Sequence, residues 1–487
     1  MKVLLLAAGR SKRLKPVEDK NFLKFLGKPL IWHQIEQLHK ASLKDLIVVG
    51  GKHNLARLKV LAGELGKIAR DLRFKIVEQK DLEAGMAGAI LAAEKLIGKG
   101  PVFIVSANDV VDGEAYRLVL QATKDKRFDS LIIGKKVTSY FPGGYLKVRY
   151  GGLLTGIVEK PGEGKEPSKM VNLVLHYHRD AGRLIKELHR TGSAIASVRD
   201  DRYEAALDRL IKSGLKMKAL PYNGFWQAVK YPWHVISLMN RFLENMQHGG
   251  TTQIGGAAAK VIGTTGAKRK IPKTVRCGIN VIIAESAIVR GEVFLDDNAM
   301  VLENAVIIGP AYIGKNSIVA TNVLVRASQI GDNCVIGFGS EVARSYVGDN
   351  VWTHTNYIGD SVIGNNCSFG AGTVTGNLRL DEANIAVNIG GWDKGGGEKI
   401  CSGTNKFGLV TGDNVRCGIN TSFMPGVKIG NNCFIGAGII VAQDIEDDKF
   451  VYGKTELMIK DNIRKADLGK RNEMKKSLSK PKAHPLK

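Results

Sequence analysis

Cysteine is missing from the first half of this 487-residue chain, and the six present (Cys277, Cys334, Cys367, Cys401, Cys417, Cys433) form no Cys-x-x-Cys pair. That spacing excludes a dithiol redox motif and a zinc ribbon. It predicts small buried hydrophobes in a reducing cytosol rather than a disulfide frame. No run of eighteen apolar residues occurs, and the first aliphatic stretch is too short for a secretory leader, so neither membrane insertion nor secretion is expected. The loop that follows this first aliphatic stretch also lacks the Gly-Lys-Ser/Thr of a P-loop and a full Gly-x-Gly-x-x-Gly. Acidic residues are few beside basic ones, 47 against 71, for a net charge of +24. The excess is dispersed, apart from a polar, aromatic-poor tail. A basic surface suited to polyphosphates is expected, with no nucleic-acid or membrane role.

What is present begins with "LLLAAGRSKRLKP" at residues 4–16, an aliphatic run that breaks into small residues and then into positive charge. A strand followed by such a loop can turn backbone N–H groups toward phosphate. "KVLLLAAG", "DLIVVGG", "FKIVEQ", "PVFIVSAND" and "SLIIGKK" read as strands. Between them "LIWHQIEQLHKA", "NLARLKVLAGELGKIARDL" and "AGAILAAEKLI" carry helical spacing, and "YPWHVISLMNRFLENM" adds a closing helix. Alternating strands and helices predict a doubly wound α/β sheet with ligands at the strand C-terminal ends.

Beyond a Gly/Thr/Ala-rich linker the texture changes. Ile313, Ile318, Leu324, Ile330, Ile336, Val342, Val347, Ile358, Ile363 and Phe369 recur every five or six positions in most cases, and Ile429 and Ile435 resume the beat. That period is neither helical nor a simple alternation. It predicts a solenoid of short strands stacked into a prism. The expected organisation is residues 1–248, a linker at 249–275, the prism at 276–453, and a basic, mobile tail at 454–487.

Several pieces occur in one order: the opening loop, "DKNFLKFLGKPL", "VEQKDLEAGMAGAI", "ANDVV", "PGGYLKV", "VEKPG" and "MVNLVL". In this arrangement residues 1–245 resemble nucleotidyltransferases that join a sugar 1-phosphate to a nucleoside triphosphate and release pyrophosphate. The resemblance implies a Rossmann-like nucleotidyltransferase domain. Leu6, Ala7, Ala8, Gly9 and Arg10, with Gln79 and Gly85 at the base, would bind the nucleotide. Arg13 and Lys20 would be catalytic, Asp109 would hold Mg²⁺, and Gly144, Glu159, Lys160 and Asn172 would hold the sugar phosphate. The chain departs from the pattern at Ser11, Lys12 and Met86, and at Ala228, where many relatives carry a second metal-binding Asp.

Residues 276–454, with "HTNYIGDSVIGNNCSFGAGTVTGNLRLDEANIAVN" and "CGINTSFMPGVKIG", resemble the acetyltransferase half of bifunctional N-acetylglucosamine-1-phosphate uridyltransferases, especially the archaeal branch. This implies a left-handed parallel β-helix of hexapeptide repeats packed as a homotrimer, with acetyl-CoA as co-substrate. Deprotonating an attacking amine suits an imidazole near neutral pH, and His354 is the candidate base. Arg326 and Arg344 are candidate phosphate contacts. Tyr357, Ser368, Ala371 and Asn377 match acetyltransferase positions, and Ala437 and Lys454 match positions that touch coenzyme A. Here Ala343, Ala383 and Ala386 stand where relatives have lysines.

The combined expectation is a cytosolic bifunctional enzyme, which acetylates glucosamine 1-phosphate and then uridylylates the product. A monofunctional glucose-1-phosphate thymidylyl- or uridylyltransferase with a structural β-helix is the nearest alternative. A non-catalytic regulatory assembly subunit is another.

Overall fold

The computed structural model describes residues 1–194, 202–246, 260–262, 271–390, 397–454 and 456–478. All five strand stretches form. They are β1 (Lys2–Leu6), β2 (Asp45–Gly50), β3 (Arg73–Glu78), β4 (Val102–Ser106) with the short β5 (Asp109–Val111), and β6 (Ser130–Lys136). The helical stretches become α1 (Leu30–Lys40), α2 (Leu55–Ile68) and α3 (Gly85–Ala92). Later elements that shape the site are β7 (Gly144–Val148), β8 (Leu154–Glu159), β9 (Met170–His178), β10 (Met217–Pro221), β11 (Trp226–Ala228) and α4 (Pro232–Asn245).

The sheet runs β8-β7-β9-β4-β1-β2-β3, and β6 pairs with both β9 and β10. β3, β2, β1 and β4 are parallel neighbours, whereas β9 runs antiparallel to β4. The order therefore turns at β1, between β2 and β4. Crossovers leave in opposite directions there and open a crevice at the strand C-terminal ends. The loops after β1 and β4 both empty into it. Val3 and Leu5 bury on one face of the sheet, and Leu4 and Leu6 on the other.

From Val275 the chain winds into a left-handed β-helix of three parallel sheets, with coils of about seventeen residues between stacked corners. Asparagine turns the corners. Asn298, Asn316, Asn333, Asn350, Asn366, Asn414 and Asn432 all adopt positive φ, which Asn tolerates better than most residues. Several link in ladders, such as Asn298 Nδ2 to Asn316 Oδ1 at 2.9 Å and Asn316 Nδ2 to Asn333 Oδ1 at 3.0 Å. Most of the expected apolar beat points inward. Ile318 and Leu324 are exceptions: Val319 and Val325 fill the core there, because these short strands alternate in and out and the inward register falls one residue later. Of the cysteines, Cys334, Cys367, Cys417 and Cys433 are buried, but Cys401 is exposed on an antiparallel hairpin (Ala386–Ile389 with Glu398–Cys401) and Cys277 is half-buried. The stretch read as linker contributes a strand, Lys260–Ile262, to the prism. Its residues 249–259 and 263–270 lie outside the described residues.

Met1–Val451 form one compact unit. One face of the prism is covered by the α/β domain, where Phe25, Leu26, Leu30, Val229, Trp233 and Leu238 pack with Phe294, Tyr312, Tyr346, Val362 and Val410. A fully buried side chain of this size contributes about 1.5–3 kcal/mol. Gly27 lets the loop come this close, since a Cβ there would lie 2.6 Å from Tyr312 Oη, and its φ is +77°. Polar clamps fix the register. Lys24 Nζ lies 3.0 Å from Asp332 and 2.7 Å from Asp349. Gln329 Oε1 accepts from the Leu26 N–H at 2.9 Å, and its Nε2 donates to the Lys24 carbonyl at 2.7 Å. Gln329→Ala would leave two main-chain groups without these partners and is expected to cost about 1–3 kcal/mol, read by chemical unfolding. No loss of stability would mean that the junction opens in solution.

A second unit, Tyr452–Lys487, holds the exposed helix Leu468–Leu478 among its described residues. Residues 455 and 479–487 of the expected tail lie outside the described residues. No helix among the described residues is long and apolar enough to cross a membrane.

Candidate functional sites

The crevice at the turn in strand order is a cleft of about 650 Å³, lined among others by Leu6, Ala8, Gly9, Arg10, Arg13, Lys20, Gln79, Gly85 and Lys160. Residues from six separate stretches of sequence meet there. Ala7 is buried and outside the lining: its N–H continues the sheet to Val49 O at 2.8 Å, and its carbonyl accepts from Asn21 and Asn54. Ser11 turns the loop in a left-handed conformation, and its Oγ accepts from the Lys20 N–H at 3.2 Å. Thus the two short helical turns that carry Arg13 and Lys20 are tied together. Arg10 pairs with Glu83 across the mouth. Gln79 Nε2 donates to the carbonyls of Asp81 and Gly85 at 2.8 and 2.9 Å, leaving its Oε1 to the cleft side of the network. Gly88 gives it room, because a Cβ there would stand 2.9 Å from Gln79 Nε2.

Asp109 begins β5, half-buried, and its Oδ1 accepts from Trp226 Nε1 at 2.9 Å. Burial holds its carboxyl above the usual carboxylate range, against the Trp226 hydrogen bond and the charge of Lys230. Ala228 is directly opposite in the antiparallel β5–β11 register. Lys20 Nζ donates to the Val229 carbonyl at 3.2 Å. Lys20 and Lys230 are both lowered to about 8, by burial first and by the charge of Arg13 next, while Asp109 acts in the opposite direction. Asp109 thus lies behind the cleft lining, within electrostatic reach of the Lys20 and Lys230 that belong to it, while Glu83 is the carboxylate of the lining itself.

Gly144, Glu159 and Asn172 fall outside that lining, next to Lys160, where β7 and β8 pair Gly144 with Glu159. Lys160 Nζ lies 3.6 Å from Glu159 Oε1. Asn172 Oδ1 accepts from His176 Nε2 at 2.8 Å, which leaves the amide N–H groups of Asn172 for another partner. His176 stays neutral because burial lowers its pKa well below the usual histidine value.

On the prism, His354 is exposed in the corner between the Trp352 and Tyr357 strands, and its imidazole makes no hydrogen bond among the described residues. Its main-chain N–H is held by Asn356 Oδ1 at 2.5 Å. Ala371 turns the next coil at the same corner, where Gly372 N–H reaches the Thr355 carbonyl. Ala437 stands further along, with its backbone against Gly418. Ser368 sits beside this edge, paired with Trp352. The following sheet carries a polar cluster. Asp360, 6% exposed, accepts a two-pronged Arg344 guanidinium at 2.7 and 2.6 Å and also the Asn377 amide at 2.5 Å. Asn377 Nδ2 also donates to Tyr357 Oη at 3.2 Å. Arg326 forks onto Glu341 Oε1. Ala343 is buried, whereas Ala383 and Ala386 are exposed. Lys454 belongs to the second unit.

Sequence reasoning missed Asp360, Trp226 and Lys230. Asp360 had only an ordinary "YIGD" corner to signal it. Trp226 and Lys230 flank the Ala228 departure, which marked their loop as unusual.

Residues 3–244 match the MobA-like NTP transferase domain family, and residues 409–443 match the hexapeptide repeat of succinyl-transferase. The bifunctional protein GlmU of Methanococcus maripaludis is 32% identical over 464 residues, covering 94% of this chain and 99% of that one. The bifunctional sugar-1-phosphate nucleotidylyltransferase/acetyltransferase of Sulfurisphaera tokodaii is 29% identical over 458 residues, covering 92% and 99%. A solved UDP-glucose pyrophosphorylase with UDP-glucose is 20% identical and covers 50% of this chain and 98% of that one, with a TM-score of 0.44.

Proposed function

The chain belongs to the bifunctional sugar-1-phosphate nucleotidylyltransferase/acetyltransferase family, and we propose that it makes a UDP-activated N-acetyl amino sugar in the cytosol. In this reading the prism transfers acetyl from acetyl-CoA to glucosamine 1-phosphate. The α/β cleft then transfers UMP from UTP to the resulting N-acetylglucosamine 1-phosphate and releases pyrophosphate. The observation that carries the second step is the cationic cleft at the turn in strand order, lined by Arg13, Lys20, Lys160 and Lys230, with Asp109 acting on Lys20 and Lys230 from beside it.

A sugar-phosphate oxygen attacks the α-phosphorus while the bond to pyrophosphate breaks. No proton need move, so catalysis is positioning and charge neutralisation. The N–H groups of Ala8, Gly9 and Arg10 bind the triphosphate, with Leu6 and Ala7 shaping the floor beneath them. Arg13 and Lys20 neutralise the departing pyrophosphate, and Gln79 and Gly85 read the base. Gly144, Glu159, Lys160 and Asn172 hold the sugar phosphate.

Asp109 offers a hard oxygen, but its other oxygen is engaged by Trp226, and Ala228 opposite has no donor. Among the described residues no group of three His, Cys, Asp or Glu could hold a metal ion. Mg²⁺ fits here as part of the incoming Mg–triphosphate, with Asp109 as one ligand, and not as a resident ion. Bound in that way it neutralises phosphate charge.

At the prism, His354 takes the proton as the amine attacks the thioester carbonyl; the C–N bond forms, the C–S bond breaks, and coenzyme A leaves as a thiolate that the protonated imidazole can reprotonate. Arg344, braced by Asp360, and Arg326 meet the sugar phosphate through their remaining N–H groups. Tyr357 and Asn377 orient the sugar and acyl group, and Ser368, Ala371 and Ala437 lie along coenzyme A.

Pyrophosphate release from a panel of nucleoside triphosphates and sugar 1-phosphates, with and without acetyl-CoA, tests the reading. UTP with N-acetylglucosamine 1-phosphate should react best, and glucosamine 1-phosphate should match it only with acetyl-CoA. Absence of pyrophosphate with every pair would sink the proposal. A homotrimer is part of it, because Ile282, Met300, Ile318, Val335 and Trp352 stack outward on one prism face, with Trp352 54% exposed. Sedimentation should find three chains; a monomer at micromolar concentration would argue against it.

A further inference from the structure

Lys230 stands two residues after Ala228, on the loop that closes the cleft between its phosphate end and its sugar end. The loop is fixed by His234, whose Nδ1 donates to the Ala228 carbonyl at 2.5 Å, and by the Val229 N–H, which donates to the Asn108 carbonyl at 3.0 Å. The Lys230 side chain crosses the face of Phe141 with Nζ 3.8 Å from the ring centroid, and donates to the Pro142 carbonyl at 2.8 Å. Phe141 in turn packs edge-on against Trp226, at 4.8 Å between centroids, the residue that holds Asp109. Thus one aromatic wall supports both the carboxylate and the ammonium.

From the sugar side, Gly143 lies against the same ammonium, where a Cβ would be 3.8 Å from Nζ, and the Gly143 carbonyl accepts from the Lys160 N–H at 3.1 Å. Lys230 is electrostatically coupled to Arg13 and Asp109 on one side and to Glu159 and Lys160 on the other. An ammonium has three N–H donors, and Pro142 takes one. The remaining donors belong to a half-buried cation in a cleft whose lining carries more basic than acidic side chains.

We propose that Lys230 is a phosphate-binding residue of this cleft. Its ammonium binds the phosphate at which nucleotide and sugar are joined, so the protein itself supplies positive charge beside the position where Ala228 offers no metal ligand. This rests on the nucleotidyl-transfer reading above. It gives the Ala228 departure a physical counterpart: a carboxylate that would recruit a second positive ion is absent, and a fixed cation stands in the same loop. Binding of a metal-free polyphosphate should then survive in this protein and depend on Lys230.

The test is calorimetric titration of the full chain with UTP and with UDP-N-acetylglucosamine, in EDTA and in Mg²⁺. Lys230→Gln removes the charge but keeps a donor for Pro142, and Lys230→Arg keeps the charge. A charge-assisted hydrogen bond is worth about tenfold or more in affinity. Lys230→Gln should therefore weaken EDTA binding by at least about tenfold and Mg²⁺ binding by less, with Lys230→Arg within about threefold of the wild type. Protection of Lys230 from an amine-acylating reagent by UTP in EDTA, read by mass spectrometry on the wild type, requires no variant. Unchanged affinity in Lys230→Gln, or unchanged acylation of Lys230 with UTP present, would overturn the proposal and leave Lys230 as a clamp on residues 141–143. Failure of the wild type to bind either nucleotide with Mg²⁺ would instead remove the underlying reading.

Discussion

Asp109→Ala should lower nucleotidyl transfer by about 10²–10³-fold, the scale set by removing one preorganised charge-stabilising group, while leaving acetyl transfer nearly unchanged. The carboxylate begins a three-residue strand, is oriented by Trp226 Nε1 at 2.9 Å, and faces the Lys20 and Lys230 ammonium groups. Without it those cations repel one another with nothing between them, and the incoming Mg–triphosphate loses its one protein carboxylate. His354 is in another domain, on a coil of the prism, so its chemistry does not sense the change. Asp109→Asn is the companion variant. It keeps an oxygen for Trp226 and so preserves the β5–β11 pairing, yet it lacks the charge and should be comparably impaired. Equal loss of both activities in a folded variant would refute two independent sites. Full nucleotidyl transfer by Asp109→Asn would show that the carboxylate only supports Trp226.

His354→Ala should lower acetyl transfer by roughly 10²–10⁴-fold, the range of general base catalysis, with nucleotidyl transfer to N-acetylglucosamine 1-phosphate unaffected. The melting temperature should also stay unchanged. The imidazole is exposed and makes no hydrogen bond among the described residues, whereas the corner is held by neighbours. Asn356, 3% exposed, bonds the His354 N–H through Oδ1 and reaches the Gly370 and Thr373 carbonyls at 2.8 and 3.2 Å. Stability and base chemistry are thereby assigned to different residues of one turn. A drop in melting temperature with loss of both activities would make His354 structural, and undiminished acetyl transfer would remove it from the mechanism. Asn356→Ala provides the contrast, since it should destabilise the corner.

The α/β half was legible because its signals are local. Short aliphatic runs such as residues 3–6 bury on both faces of a parallel sheet, and helices between them show one apolar stripe. The prism was legible for the same reason, although Ile318 and Leu324 show how easily a strand of two or three residues is misread by one position. Order along the chain also located much of the cleft lining: the loop after β1, Lys20, Gln79 and Lys160 each follow a recognisable stretch. Asp360 was not legible, since a carboxylate at a solenoid corner is ordinary until Arg344 and Asn377 close on it from neighbouring coils.

By itself, then, the sequence determined the two architectures and the chemistry that each can carry. Strand period, helix period and corner residues are properties of neighbours in the chain. What only the tertiary structure decided was how the two halves meet. Phe294, Tyr312, Gln329 and Tyr346 occupy outward strand positions that by alternation face solvent, yet all four are buried. The loop from Lys24 to Gly27 lies against them, about three hundred residues away in sequence. Lys230 likewise became part of the cleft only when its loop was packed between Phe141, Asn108 and His234. No periodicity encodes such contacts, because they depend on the complementarity of two finished surfaces, on which a polar clamp and an apolar patch must coincide in space.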